Sequence, residues 1–259
     1  MATFIHETAI VSPGANVGDG CHVGPFCTVG AEVSLGSGVR LDSHVVVDGR
    51  TAIGDETHVF PFASIGLAPQ DLKYAGEPTA TEIGNRNHIR EFVTIHRGTD
   101  GGGGLTKIGD DNLFMAQAHV AHDCQIGSNV IMANAATLAG HVEIADRANV
   151  GAYSGVHQFC RVGLEAFVGG YSVVVKDAPP YAIIQGNHAK CYGLNKVGLK
   201  RRGYSKETIE KLHHAFHLLL TAKLNTSQAV ERIKAEVVGC PEVDILVAFI
   251  ETSKRGVVK

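Results

Sequence analysis

Residues 108–132 read IGDDNLFMAQAHVAHDCQIGSNVIM, and every sixth position in this stretch is apolar: Ile108, Phe114, Val120, Ile126 and Met132. The same step runs from Ile5 to Ile65, resumes over residues 83–95, and continues from Ile108 to Val174. A period of six fits neither the 3.6-residue turn of an α-helix nor the two-residue alternation of an ordinary strand. It is typical of the hexapeptide β-helix, in which each hexad forms one short strand and one turn.

A second position of each hexad carries a small or β-branched residue, four places after the aliphatic one. Four of the six cysteines occupy this position, which we predict to point inward: Cys21, Cys27, Cys124 and Cys160. A buried free cysteine behaves as a small hydrophobic side chain, so a structural role is expected for all four. Three hexads would close a coil of 18 residues, and successive coils would stack at about 4.8 Å.

The six-residue step is interrupted twice, at residues 67–82 and 96–107. A regular coil needs no insertion, so both segments are predicted to leave the β-helix as loops, which in compact domains are often functional. The glycine-rich GTDGGGG within the second segment is interpreted as a flexible turn. After Pro179-Pro180 the apolar spacing becomes helical. We therefore predict a mainly β protein, with a hexapeptide-repeat β-helix over residues 1–186 and a C-terminal α-helical domain over residues 187–259.

Composition narrows the class of protein. No stretch approaches the roughly 18 apolar residues of a membrane span, and no basic segment followed by an apolar run opens the chain. The cysteines show no CxxC spacing, so a reduced, cytoplasmic setting is expected. The net charge of -3 divides unevenly, because residues 1–186 hold 10 Lys/Arg against 19 Asp/Glu while residues 187–259 hold 13 against 7. The basic segment suggests an acidic partner or a phosphate-bearing ligand, and on charge alone a merely solvated helical surface is an equal alternative.

The histidines are the residues that indicate a chemical function. The 18-residue coil would stack residues onto one patch across three turns: His122, Asp123, Gly140, His141, His157 and Gln158. Histidine can act as a general base near neutral pH, and a glycine N–H one coil above could stabilise an oxyanion. These residues could instead be polar fillers of exposed corners, but their convergence favours function. Three histidines could also bind zinc, although the His119-x-x-His122 spacing differs from that of hexapeptide-repeat carbonic anhydrases, so no metal is expected.

The sequence resembles the UDP-N-acetylglucosamine O-acyltransferase family through several motifs: QDLKYAGEPT, IREFVTIHRGT, HVAHDC, NAATLAGHV, VHQFC, PPYAIIQGNHA and GLKRRG. The resemblance implies a left-handed β-helix and a homotrimer with active sites between subunits. It implies transfer of a 3-hydroxyacyl chain from acyl carrier protein to the 3-hydroxyl of UDP-N-acetylglucosamine, in the first step of lipid A biosynthesis. No metal or redox cofactor, no nucleic acid and no integral membrane segment is implied.

The family's functional residues carry over by motif. His122 matches the general base, Asp123 would orient its imidazole, and Gly140 would supply the oxyanion N–H. Substrate contacts are implied for a larger set: Asp71, Leu72, Lys73, His96, His119, His141, His157, Gln158, Asn195, Arg201 and Arg202. The chain departs from the family at Val197, where a glutamate is expected, so one polar nucleotide contact is absent.

The end of the acyl chain is assigned to Gly170 and His188 by the same resemblance. Because glycine leaves room where a bulky side chain would not, a longer 3-hydroxyacyl chain is expected. Three other functions stay open on the residues alone: N-acylation of a 3-amino sugar nucleotide, metal-dependent hydration, and a β-solenoid with no chemistry.

Overall fold

The computed structural model describes residues 2–259, and most of them form a left-handed parallel β-helix with three sheets. Sheet A contains β1 (Phe4–Ile5), β4 (His22–Val23), β7 (Arg40–Leu41), β10 (His58–Val59), β13 (His88–Ile89), β16 (Leu113–Phe114), β19 (Ile131–Met132), β22 (Asn149–Val150), β25 (Phe167–Val168), β27 (Ala182–Gln185) and β28 (Lys190–Leu194). Sheet B contains β2 (Ile10–Val11), β5 (Thr28–Val29), β8 (Val46–Val47), β11 (Ser64–Leu67), β14 (Thr94–His96), β17 (His119–Val120), β20 (Thr137–Leu138), β23 (Gly155–Val156) and β26 (Val173–Val174). Sheet C contains β3 (Asn16–Val17), β6 (Ser34–Leu35), β9 (Arg50–Ile53), β12 (Ala80–Ile83), β15 (Leu105–Ile108), β18 (Gln125–Ile126), β21 (Glu143–Ile144) and β24 (Arg161–Val162).

The strands pair in the register that the hexads predict. His22 lies opposite Arg40, 18 residues later, and the three sheets repeat this interval in every regular coil. The repeat aliphatics point inward and form buried columns, as Val59 and Ile65 show with 0% exposure. Cys21, Cys27, Cys124 and Cys160 are buried and free, which confirms their predicted inward position.

Both loops are shorter than the breaks in the repeat. Strands β11, β12, β14 and β15 extend beyond two residues, which leaves loop 1 at residues 68–79 and loop 2 at residues 97–104. Paired residues are 30 apart across loop 1 (His58 with His88) and 25 apart across loop 2 (His88 with Leu113). The aliphatic pattern misses these strand ends because Thr51, Thr81 and Thr106, all buried and stacked in register, take inward positions there.

The predicted domain boundary at residue 186 falls inside an antiparallel hairpin of β27 and β28, so the sheet continues past it. The helices that follow are α1 (Lys196–Arg201), α2 (Lys206–Leu220), α3 (Thr226–Glu236) and α4 (Pro241–Glu251). Ser205 caps α2 by accepting a hydrogen bond from the Thr208 N–H, and Pro241 opens α4. None of the helices within residues 2–259 has the length and hydropathy to cross a bilayer.

The coil interior can be tested with two matched valine substitutions. Val59→Ala removes two methyl groups from a fully buried column and is expected to lower the free energy of unfolding by about 2 kcal/mol. Val238→Ala, at a side chain that is 68% exposed, should change it little. Denaturant midpoints followed by circular dichroism measure both; equal midpoints would show that burial in the column is not what stabilises the coil.

Candidate active site

The corner between sheets B and C places His122 and Asp123 between β17 and β18. Asp123 adopts the left-handed conformation (φ 59°), as does His141 one coil above (φ 61°). The His141 N–H donates a 3.0 Å hydrogen bond to the His122 carbonyl, which holds the two coils in register. The backbone therefore stacks His141 over Asp123 and Gly140 over His122, as the coil length predicts.

His122 and Asp123 form a tightly coupled pair. The His122 Nδ1 lies 2.7 Å from Asp123 Oδ2, and the Asp123 side chain is completely buried. Because a carboxylate can only accept, Nδ1 carries the proton and Nε2 keeps a lone pair. The His122 side chain is 15% exposed, so part of the ring can still be reached from outside. This arrangement suits a general base whose orientation is fixed by a buried acid.

Gly140 leaves space for the His122 ring. A Cβ at this position would lie 2.5 Å from His122 Cε1 and 2.7 Å from Nε2, closer than atoms in contact can approach. The backbone at Gly140 is not in the left-handed region, so it is the imidazole and not the local turn that excludes a side chain.

Thr99 contacts the Asp123 carboxylate, and the sequence did not predict this contact. Its N–H donates to Asp123 Oδ1 at 2.9 Å and its hydroxyl donates to Oδ2 at 2.6 Å. A buried carboxylate needs such donors, since an unpaired charge away from water is costly. Thr99 thus orients the acid that orients His122.

Loop 2 is correspondingly not the flexible turn that its glycines suggested. Side chains at Gly98 and Gly102 would collide with the Asp123 carboxylate, so these glycines let the loop backbone close directly over that acid. The glycine-rich stretch after a strand of the coil was the sequence feature that could have indicated a close backbone approach. Only the folded chain shows that the group it encloses is the Asp123 carboxylate.

His96 and His119 form a second pair beside this corner, with ring centroids 5.1 Å apart. Burial lowers the pKa of His96 to about 4, and the neighbouring charges of His119, His122 and Arg97 act in the same direction. Burial also lowers the pKa of His119, whose Nδ1 lies 2.7 Å from the Thr94 hydroxyl. His96 is therefore neutral at neutral pH and can donate or accept a hydrogen bond there. Its Nδ1 is buried without a partner among the described residues.

His141 completes the patch. Its ring stacks on Phe159 at 4.3 Å and stands nearly perpendicular to the His122 ring at 5.0 Å. Burial lowers the pKa of His141, while the charges of Asp123 and Asp71 partly oppose that shift. Loop 1 joins β11 of sheet B to β12 of sheet C and therefore lies at this same corner.

Three potential metal ligands, from His122, Asp123 and His141, lie within 4.8 Å of one another. Nitrogen and carboxylate donors of this kind suit zinc. However, two ligand atoms on one tetrahedral zinc are about 3.3 Å apart, whereas His122 Nδ1 and Asp123 Oδ2 are 2.7 Å apart. The pair as it stands is a hydrogen bond and not two ligands of one ion.

Loop 1 presents Asp71, Leu72 and Lys73 in a turn. Tyr74 closes it, because its N–H donates to the Asp71 carbonyl at 3.1 Å, and the Lys73 N–H donates to Asp71 Oδ1 at 3.0 Å. The Leu72 side chain is fully exposed. These three residues lie in loop 1, at the corner between sheets B and C.

The remaining predicted residues lie farther along the coil. His157 and Gln158 are exposed one coil above Gly140, and the Phe159 N–H donates to the Gly140 carbonyl at 3.2 Å. Gly170 and His188 are exposed near the last coil.

Asn195, Arg201 and Arg202 converge on a separate cavity of about 410 Å³ against sheet A, which Val197 also lines. Asn195 caps α1 by accepting from the Gly198 N–H at 3.0 Å. Arg202 lies 3.5 Å from the buried Glu165 carboxylate, so part of its charge is committed within the chain. Within one chain these residues and His122 occupy different faces.

Comparisons with known proteins identify the relatives of this chain. The family described as UDP-N-acetylglucosamine O-acyltransferase, domain 2, matches residues 177–258, and the bacterial transferase hexapeptide family (six repeats) matches residues 105–140. LpxA from Acinetobacter baumannii is 45% identical, with 98% of this chain and 99% of that chain covered and a TM-score of 0.96. UDP-N-acetylglucosamine O-acyltransferase (LpxA) from Moraxella catarrhalis RH4 is 44% identical, with 98% and 99% covered and a TM-score of 0.95. The UDP-N-acetylglucosamine acyltransferase of Arabidopsis is 35% identical, with 99% and 100% covered and a TM-score of 0.87.

This chain belongs to the UDP-N-acetylglucosamine acyltransferase family. As a member of that family it is an acyltransferase, and the resemblance seen in its motifs is confirmed. Family membership disfavours both a solenoid without chemistry and a metal-dependent hydratase.

A matched pair of threonine substitutions tests the role of Thr99 in this acyltransferase family member. Thr99→Val removes a buried hydroxyl that donates to Asp123. Thr57→Val removes a buried hydroxyl that donates to the Gly84 carbonyl at 3.1 Å and accepts from the Asn87 N–H at 3.2 Å. Each should cost about 1–3 kcal/mol of stability. Only Thr99→Val should lower acyl transfer, by about tenfold, because Asp123 loses a donor. Similar turnover in both variants would contradict the positioning role.

The low pKa of His96 predicts a loss of stability in acid. Its folded-state pKa is about 4 and its ordinary value is 6.5, so between these pH values only the unfolded chain binds the proton. Unfolding therefore becomes more favourable as pH falls through this window. From about pH 7 to about pH 5, wild type should lose about 2 kcal/mol more than His96→Gln. Denaturant titrations at both pH values measure this, with the exposed His217→Gln as control; equal losses in wild type and His96→Gln would refute it.

Proposed function

We propose that this protein transfers a 3-hydroxyacyl chain from acyl carrier protein to the 3-hydroxyl of UDP-N-acetylglucosamine, in the cytoplasm and as the first step of lipid A biosynthesis. The observation that carries the proposal is the His122–Asp123 pair, whose free Nε2 faces the site at the sheet B–C corner. The relatives named as UDP-N-acetylglucosamine acyltransferases support the choice of acceptor.

In this mechanism His122 Nε2 takes the proton of the sugar 3-hydroxyl as its oxygen attacks the thioester carbonyl. A tetrahedral oxyanion forms, and its collapse breaks the carbon–sulfur bond. The proton held by His122 then passes to the departing thiolate of the carrier, so the ester and a free thiol are the products. General-base catalysis of this kind contributes about 10²–10⁴-fold.

The residues around His122 stabilise both its neutral and its protonated form. Asp123 accepts from Nδ1 in both, and its negative charge stabilises the imidazolium that forms during attack. The Gly140 N–H has no acceptor among residues 2–259 and is available to donate to the oxyanion. His96 stays neutral because of its low pKa, so it can contact the sugar without adding a competing positive charge.

The substrate contacts divide between two faces of the chain. Loop 1 carries Asp71, Leu72 and Lys73 beside the His122 corner, whereas Asn195, Arg201 and Arg202 line the cavity on sheet A. A site that uses both sets requires a second copy whose sheet A faces this corner. This separation supports a homotrimer with the site between subunits. The planar donor fork of Arg201 suits the diphosphate, and Val197 offers no polar contact there.

The acyl chain is assigned to the end of the coil near Gly170 and His188. β25, which precedes Gly170, lies three coils beyond β16 of the His122 coil, about 14 Å along the axis at normal strand spacing. Gly170 is exposed, so a long chain can pass where a side chain would intrude. A preference for longer 3-hydroxyacyl donors follows.

The function is tested by turnover and by the product. Wild type should acylate UDP-N-acetylglucosamine from 3-hydroxyacyl carrier protein, and His122→Ala should lower kcat by about 10³-fold because the base is removed. The thermal midpoint should stay near that of wild type, and His217→Ala, at an exposed histidine of α2, should keep full activity.

Mass spectrometry of the product from mixed donors identifies both the bond and the chain. An ester, cleaved by mild base, supports O-acylation, and enrichment of donors longer than ten carbons supports the Gly170 assignment. Turnover only with a 3-amino sugar nucleotide, giving a base-stable amide, would replace the proposal with N-acylation. Full activity in His122→Ala would remove the proposed base.

A further inference from the structure

We propose that Arg97 is a positioning residue that fixes the substrate-binding turn of loop 1 relative to the catalytic pair. The inference rests on the proposed function, because it assigns a role in binding the sugar nucleotide. Arg97 lies directly after β14, at the first position of loop 2, between His96 and the residues that hold Asp123.

The guanidinium of Arg97 forms its hydrogen bonds with loop 1 and with β11, the strand that precedes this loop. Its Nε donates to the Tyr74 hydroxyl oxygen at 3.0 Å, and its Nη1 donates to the Gly66 carbonyl at 2.9 Å. The guanidinium carbon lies 5.5 Å from the centre of the Tyr74 ring. No carboxylate among residues 2–259 forms an ion pair with Arg97. The side chain therefore serves to connect segments and not to neutralise an acid.

Two glycines build the slot that receives this side chain. A Cβ at Gly49 would lie 2.6 Å from Arg97 Nη1, so a side chain there would displace the guanidinium from its present position. Gly66 sits where the register of β11 and β14 shifts, and its positive φ (75°) presents its carbonyl to Arg97. A slot shaped by two residues in the left-handed region indicates a specific position for the arginine.

On the loop 1 side, Tyr74 transmits this position to the turn of Asp71, Leu72 and Lys73. The Tyr74 N–H closes the turn on the Asp71 carbonyl, and the Tyr74 hydroxyl donates to the Glu77 carbonyl at 2.9 Å while accepting from Arg97. Tyr74 thus has both its backbone and its side chain fixed. Without Arg97 the turn keeps its internal bonds but loses its attachment to the coil.

On the loop 2 side, Arg97 is two residues from Thr99, the donor to Asp123. The Arg97 N–H donates to the Leu67 carbonyl at 3.2 Å, and the Gly98 N–H donates to the Ala80 carbonyl at 3.1 Å, so both ends of loop 1 are tied to this short segment. One stretch of three residues therefore holds loop 1 through Arg97 and the catalytic acid through Thr99. The distance between the sugar-nucleotide contacts and the base is set there.

The contacts predict a specific kinetic defect. In Arg97→Gln the planar, charged fork is lost while Thr99, Asp123 and His122 keep their bonds, so KM for UDP-N-acetylglucosamine should rise about tenfold with kcat within about twofold of wild type. Arg97→Lys supplies the charge without the fork and should recover part of the loss at most. Arg86→Gln is the matched control, since Arg86 is an exposed arginine bound to Asp111 on another corner.

Tyr74→Phe gives a second route that keeps the ring and the fold. It should raise KM in the same direction, and the Tyr74→Phe, Arg97→Gln double variant should be no worse than Arg97→Gln alone, because the two residues act through one bond. Calorimetric binding of UDP-N-acetylglucosamine should weaken in parallel with KM.

Each result decides between the roles. An active wild type together with an unchanged KM in Arg97→Gln, or a loss confined to kcat or to the thermal midpoint, would overturn the positioning role. Additive effects of the two substitutions would overturn the route through Tyr74. An inactive wild type would instead reject the proposed function, so the two failures are distinguishable.

Discussion

The backbone hydrogen bonds between successive coils are the constraint on which this structure depends. Each strand contributes only two residues to most coils, so neither strands nor corners are stable unless the next coil lies in register above them. The register is an 18-residue interval, and it converts sequence separation into position. Gly140 comes to lie over His122, and His141 over Asp123, because parallel pairing admits no other placement. The geometry of the corner at His122 is set by the same bonds that hold the fold.

A buried carboxylate imposes the second condition. The Asp123 side chain has no contact with solvent. Its negative charge would carry a large free-energy cost there without hydrogen-bond donors. Loop 2 supplies them by interrupting the coil, crossing the corner and presenting both the backbone and the side chain of Thr99. Burial then acts on the nearby histidines as well, since it lowers the pKa of His96 and His119 and keeps His96 neutral beside the base. Insertion into the repeat is therefore what allows the corner to hold a buried carboxylate against His122.

The two loops form a single unit although 17 residues of coil separate them in the chain. Arg97 is anchored in a slot that glycines open beneath it, and from there it reaches loop 1, while its neighbours reach Asp123. The coil provides the frame, and the two loops project from fixed positions along it. The turn of Asp71, Leu72 and Lys73 and the His122–Asp123 pair are consequently held at the same corner of the β-helix, whereas the basic cavity lies on sheet A.

The sequence by itself determined the hexad period, the coil length, the inward cysteines, the helices after Pro179-Pro180 and the family, because stacking at constant interval leaves a linear signature and the family motifs are dense. Tertiary structure alone decided what the interruptions do. Thr51, Thr81 and Thr106 hide the strand ends from an aliphatic count, so both loops had looked longer than they are. The partners of Asp123 and Arg97 lie on segments whose distance in sequence follows no period. Contacts between irregular loops depend on the position of each loop backbone. That position is set by tertiary packing and not by a periodic sequence pattern.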